Sequence, residues 1–144
     1  MPEERAGPAL SLAEQKRRLR AEILARRDGI PADQRAALNQ RITAKLLSLP
    51  EYQVAGVVAA YMSIGSEVDT GALIRDVLGR GKMLVLPRVD RERKRLVLYG
   101  VADPERDLLA GTWGIKEPDP ARCREVSWQQ VEWALVPGLA FDCA

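Results

Sequence analysis

Histidine is absent from the 144 residues, and cysteine occurs only twice, at Cys123 and Cys143. The first absence excludes imidazole acid–base catalysis, Ser–His and Cys–His nucleophiles and His-ligated zinc. The second excludes a four-thiolate metal site and suggests no disulfide framework. Aromatic residues make up 5% of the chain, too few to offer nucleic-acid bases a stacking platform. Neither sign of charge dominates: 22 Lys+Arg stand against 20 Asp+Glu, a net +2, which argues against a nucleic-acid-coating surface. Long apolar runs are also lacking. The longest, Val54–Met62, is far short of the ~20 residues that span a bilayer. Met1-Pro2-Glu3-Glu4-Arg5 has no apolar block of a secretory signal. The expectation is a cytoplasmic protein with no membrane or nucleic-acid partner. Its chemistry must rest on carboxylates, Lys, Arg, hydroxyls or a bound ligand.

What is present reads as one α/β domain. Hydrophobic residues make up 47% and charged residues 29%, an ordinary globular balance. Residues 1–10 read as a flexible leader and 11–144 as a single domain. Ser11 and Glu14 have capping-box spacing, so a helix should run from Leu12 to Arg27. It should stop at Asp28-Gly29-Ile30-Pro31, with Gly29 as a left-handed cap and Pro31 opening a second helix. Leu38, Ile42 and Leu46 repeat along that helix, and Pro50 lies past its end. Val54–Ile64 is β-branched and small, as in a strand buried on both faces. The loop Gly65-Ser66-Glu67-Val68 leads to a third helix capped by Asp69 or Thr70 and ended by Gly79 and Gly81. Lys82–Val89 is the next strand, parallel to the first through a right-handed crossover. A charged turn, Asp90–Lys94, joins it to a returning strand, Arg95–Val101. Residues 103–125 read as an ordered loop over the sheet edge. Trp128–Trp133 reads as a short helix or strand lead-in, and Ala134–Pro137 as one more central strand.

Several residues could carry chemistry. At about 100° per residue, Leu12, Leu19 and Ile23 form a narrow stripe; Lys16 borders it by about 20° and Arg20 by about 60°. Two readings stand for these cations: stems snorkelling along apolar surface, or a two-pronged phosphate clamp at i and i+4. Glu67 follows the first strand at its carboxyl end, where α/β sheets bind ligands. Met62 is near the end of that strand. Trp113-Gly114-Ile115-Lys116-Glu117-Pro118 sets an aromatic and an acid in a Gly/Pro-bounded loop, as a packing anchor or as the wall of a heterocycle site.

Taken together, the sequence resembles the 5-formyltetrahydrofolate cyclo-ligase (5,10-methenyltetrahydrofolate synthetase) family. The resemblance is carried by Lys16-Arg17-Arg18-Leu19-Arg20, Tyr61-Met62-Ser63, Glu67-Val68-Asp69-Thr70, Gly81-Lys82, Leu86-Pro87-Arg88, Trp113–Pro118 and Val136–Asp142. It implies a three-layer α/β/α fold with a mostly parallel sheet, of the kind shared with sugar-phosphate isomerases and CoA transferases, and incomplete at its C-terminus. It also implies a ligase that closes the ring of 5-formyltetrahydrofolate to 5,10-methenyltetrahydrofolate, with ATP as co-substrate and Mg2+ as cofactor. ADP and phosphate are released through a phosphorylated formyl intermediate. Positioning and charge neutralisation suffice for such steps without a histidine base. By the resemblance Lys16 and Arg20 contact ATP phosphates, while Met62, Glu67, Trp113 and Glu117 bind the reduced folate. No catalytic side chain is singled out.

The family pattern continues past its Phe-Asp into a Gly-rich Arg-Leu-Gly-x-Gly-x-Gly-Tyr-Tyr-Asp segment that wraps the triphosphate and holds the metal. This sequence ends at Ala144, so the resemblance implies a C-terminally shortened member with no metal ligands of its own and weak or no activity. The intact family form is expected to be monomeric, and a shortened one to self-associate along an unpaired strand edge. Two other readings remain: a folate-binding paralogue that does no chemistry, and a basic RNA-binding accessory protein built on the six cations between Lys16 and Arg27. A sugar-phosphate isomerase lacks supporting motifs here.

Overall fold

The computed structural model describes residues 10–111 and 114–141. Helix α1 (Leu12–Asp28) opens on the expected capping box: Ser11 Oγ accepts from the Glu14 N–H, and the Glu14 carboxylate accepts from the Ser11 N–H at 2.9 Å. It ends at Gly29 with φ −74°, a right-handed conformation. The glycine therefore serves space rather than handedness, since a Cβ would stand 3.3 Å from the Ala25 carbonyl. Pro31 is the N-cap of α2 (Ala32–Leu47), one position before the first helical residue.

The run expected as one long strand divides into three parts. Pro50 starts a short helix, α3 (Pro50–Val54), which leaves Val54 84% exposed. Strand β1 keeps only Val57–Ala59. Beyond it the chain leaves the sheet because Thr70 fastens the next loop, its Oγ1 donating to the Tyr61 carbonyl at 2.7 Å. Thr70 is the N-cap residue of α4 (Gly71–Gly79), with no side-chain capping bond of its own, and Asp69 just before it accepts from the Gly71 N–H at 2.8 Å. Strand β2 (Met83–Asp90) runs parallel to β1, as expected of a crossover unit, and β3 (Arg95–Val101) returns antiparallel to β2.

Residues 103–125, expected as a loop, build α5 (Pro104–Asp107), a hairpin of β4 (Leu108–Ala110) and β5 (Lys116–Pro118), and the start of β6 (Glu125–Val126). A 3-10 turn at Trp128–Gln130 precedes β7 (Trp133–Ala134). The main sheet has the order β6-β3-β2-β1-β7. The α/β class is as expected. From the pairings, β6, β2, β1 and β7 point one way and β3 alone opposes them. Strand β7 is two residues at the edge of the described sheet rather than a central strand.

The main core joins Tyr52, Val58, Leu73, Val77, Leu84 and Leu86, so α3 and α4 close one face of the sheet. A smaller cluster of Ala59, Val85, Leu98 and Val126 occupies the other. Tyr52 is fully buried. Its ring stands edge-on to Trp133 at 5.2 Å, and its hydroxyl donates to Asp76 at 2.6 Å. The Lys82 ammonium stands 5.2 Å from that ring's centroid and donates to the carbonyls of Tyr52, Gln53 and Ala55.

The apolar stripe of α1 meets no core: the helix buries none of its residues, and Leu12 and Leu19 are exposed. Its attachment is polar and at its last turn. Arg27 Nε donates to Ser66 Oγ at 2.9 Å, and Ser66 donates in turn to Asp28. Two tertiary hydrogen bonds thus aim the helix at the loop that follows β1.

Two carboxylates link stability to pH. Burial pushes the Asp76 carboxyl up, but the Tyr52 hydroxyl and the Arg80 guanidinium outweigh it and hold it below the usual range. Asp107 is held low by the Asp103 N–H first, then by Arg106 and the Ala102 N–H. A depressed folded-state pKa contributes stability above the unfolded value that is lost as pH falls through the folded one. Asp107→Asn is therefore expected to lose less of its thermal midpoint than the unsubstituted chain between about pH 6 and pH 3, measured by circular dichroism.

Candidate functional site at the carboxyl ends of the strands

The loop from Tyr61 to Thr70 forms the floor of the site. Gly65 takes φ +56°, a left-handed turn that suits glycine. The turn brings the Glu67 N–H to the Ile64 carbonyl at 3.1 Å, while Glu67 Oε2 accepts from the Ile64 N–H at 2.9 Å. This leaves the Glu67 carboxylate held at one oxygen. Burial, then the Glu67 charge, pushes the Tyr61 phenol up, with Arg27 opposing; the hydroxyl stays protonated at neutral pH.

Three cavities meet at Glu67 and Pro137. The first, of about 400 Å³, lies under α1 and is lined by Arg20, Leu24, Arg27 and Gly138. The second continues toward α2, where Arg35 and Asn39 stand one turn apart beside Tyr61 and Ser66. The third, of about 180 Å³, is apolar: Met62, Leu86, Pro87, Val89 and Leu96 line it, with Glu117 at its side. Glu117 is buried against Gly111, where any Cβ would come within 2.6 Å of its carboxylate. A side chain at position 111 would therefore require the Glu117 carboxylate to move. One side of the site is therefore cationic and the other greasy, with a single acid between them. Such a cleft can hold an anion and a flat heterocycle next to each other.

The candidate residues distribute unevenly. Arg20 and Glu67 share the cationic cavity, and Met62, Glu67 and Glu117 share the apolar one. Lys16, a turn farther out on α1, is exposed and lines neither. Trp113 lies outside the described residues. Arg27, Arg35 and Tyr61 were not singled out from the sequence as site residues, yet all three border the cavities. A signal for Arg27 was available: it follows Arg20 by seven residues, which is two helical turns on one face.

The sequence pattern of the 5-formyltetrahydrofolate cyclo-ligase family matches residues 12–144. The chain belongs to this family. Among cyclo-ligase relatives, the 5-formyltetrahydrofolate cyclo-ligase of Mus musculus is 27% identical over 138 residues, 93% of this chain and 68% of that protein. The cyclo-ligase of Haemophilus influenzae is 26% identical over 129 residues, 90% of this chain and 69% of that one. The NMR structure of Aquifex aeolicus 5,10-methenyltetrahydrofolate synthetase superposes with a TM-score of 0.77 at 35% identity, over 88% of this chain and 62% of that chain. The chain thus spans about two thirds of the length of the cyclo-ligases it matches.

Proposed function

We propose that this cleft binds 5-formyltetrahydrofolate and ATP side by side for ATP-dependent closure to 5,10-methenyltetrahydrofolate. The observation that carries the reading is the position of Glu67, at the boundary between a cavity lined by Arg20 and Arg27 and one lined by Met62, Leu86 and Pro87. The ring system would lie against Met62, where Glu67 and Glu117 accept from its N–H groups. Trp113, four residues before Glu117, is assigned by the resemblance to the same pocket. Arg20 would neutralise the phosphates with Arg27 beside it, and Lys16 would meet their outer end.

In that arrangement the formyl oxygen attacks the γ-phosphorus, forming a P–O bond as the bond to ADP breaks. The neighbouring nitrogen of the folate then bonds to the activated formyl carbon. That nitrogen loses its proton and phosphate departs with the C–O electron pair. Chemistry of this kind depends on alignment and on charge spread over phosphoryl oxygens. The family implies magnesium. Among the described residues no three Asp, Glu, Cys or His side chains gather to hold an ion, and no step is assigned to one.

The test is calorimetry with ATP, together with near-ultraviolet absorbance of the methenyl product. Arg20→Ala is expected to weaken ATP binding about tenfold, as one lost charge-assisted contact implies. Any methenyl product should require ATP. Unchanged ATP affinity in Arg20→Ala, or product formed without ATP, overturns the reading.

A further inference from the structure

Glu117 reaches the apolar cavity from β5, a strand of three residues paired with β4 alone among the described strands. A ribbon of two such short strands is marginal by itself, so contacts outside it must hold the acid in place. One is apolar: Leu108 of β4 joins the main core, and Pro118, opposite it on β5, is fully buried.

The other is polar and follows from the backbone. The Asp119 N–H donates to the Asp107 carbonyl at 2.9 Å. Antiparallel partners alternate between bonding across the pair and facing outward, so the Pro118 carbonyl points away from β4. Proline has no N–H to offer a further strand, which leaves a carbonyl without a neighbouring donor on that edge. Arg88 of β2 supplies the donor, its Nη1 standing 2.9 Å from the Pro118 oxygen. Side chains alternate along a strand. Leu84 and Leu86 enter the main core, and Arg88 continues their row to the end of β2 where the β4–β5 hairpin lies. Leu86, in the same row, also lines the apolar cavity beside Glu117.

We propose that Arg88 is a positioning residue for Glu117: by holding the Pro118 carbonyl it fixes β5 against the main sheet and sets where the Glu117 carboxylate stands. This assignment rests on the folate reading above and deepens it. An acceptor for the N–H groups of the ring works only within about 3 Å of them. The tolerance is small, since a Cβ at Gly111 would already come within 2.6 Å of the Glu117 carboxylate. Arg88 acts through the carbonyl of the next residue along from that acid and not by touching the substrate.

The test combines calorimetry with 5-formyltetrahydrofolate and amide hydrogen exchange of the free protein. Arg88→Met keeps an apolar stem on the half-buried side chain and removes the donor. It should weaken folate binding about tenfold and leave ATP affinity unchanged. Arg88→Lys, which retains a charged donor, should recover most of the loss. Added to Glu117→Gln, Arg88→Met should cost less than about a further twofold, because both changes act on one group. In the free protein the Asp119 amide should exchange about tenfold faster in Arg88→Met. The Ala60 amide, bonded to the Val85 carbonyl in the main sheet, should keep its rate. Additive losses in the double variant, or an Asp119 amide that exchanges no faster than in the unsubstituted chain, overturn the positioning role. If the unsubstituted chain binds no folate, the folate reading falls, and the exchange rates alone uphold or overturn the hold of Arg88 on β5.

Discussion

Glu67→Ala is expected to weaken binding of 5-formyltetrahydrofolate by one to two orders of magnitude, corresponding to the ~1.5–3 kcal/mol carried by hydrogen bonds to a charged group. One Glu67 oxygen secures the loop through the Ile64 N–H, so the alanine variant also loosens the floor of the site. Glu67→Gln separates the two roles. It keeps an acceptor for Ile64 and removes the negative charge. The glutamine variant should melt as the unsubstituted chain does, yet lose most of the affinity in calorimetry. Full affinity in Glu67→Gln would restrict this residue to holding its loop.

Tyr52→Ala is expected to cost about 3–5 kcal/mol, the range for removing a large buried aromatic ring. Against a total stability of about 5–15 kcal/mol for a domain, this brings the chain close to unfolding at ambient temperature. The effect is large because three interactions converge on one side chain: the edge contact with Trp133, the Lys82 cation and the hydrogen bond to Asp76. Tyr52→Phe keeps the ring and removes only the hydroxyl. Asp76 retains its pair with Arg80 at 2.8 Å, so the expected cost falls to about 1–2 kcal/mol. Urea denaturation followed by circular dichroism measures both variants.

Much of the fold was legible where the controlling interactions are local. The Ser11–Glu14 cap, the stops at Gly29 and Gly81 and the β2–β3 hairpin all follow from residues a few positions apart. Legibility failed where partners distant in sequence decide. Nothing within Val54–Ile64 announces that Pro50 will take Val54 into a helix and that Thr70 will pull Tyr61 off the sheet. The apolar stripe of α1 suggested burial, but the helix is fixed by Arg27, Ser66 and Asp28 at its far end.

The site divides in the same way. Glu67, Met62 and Glu117 could be singled out because strand ends and Gly/Pro-bounded loops mark where α/β folds place ligands. Which of the six cations from Lys16 to Arg27 faces Glu67 could not be read from α1 alone. That depends on the tilt set by the Arg27–Ser66 contact, which puts Arg20 and Arg27 in the cavity and leaves Lys16 outside it.

The most direct measurement is a pair of chemical-shift titrations on the isotopically labelled chain, one with ATP and one with 5-formyltetrahydrofolate. ATP should move the backbone amides of Arg20, Arg27 and Leu139, and the folate those of Met62, Leu86 and Glu117. The Glu67 amide should respond to both. Disjoint sets of shifts that leave Glu67 unmoved would contradict a shared cleft.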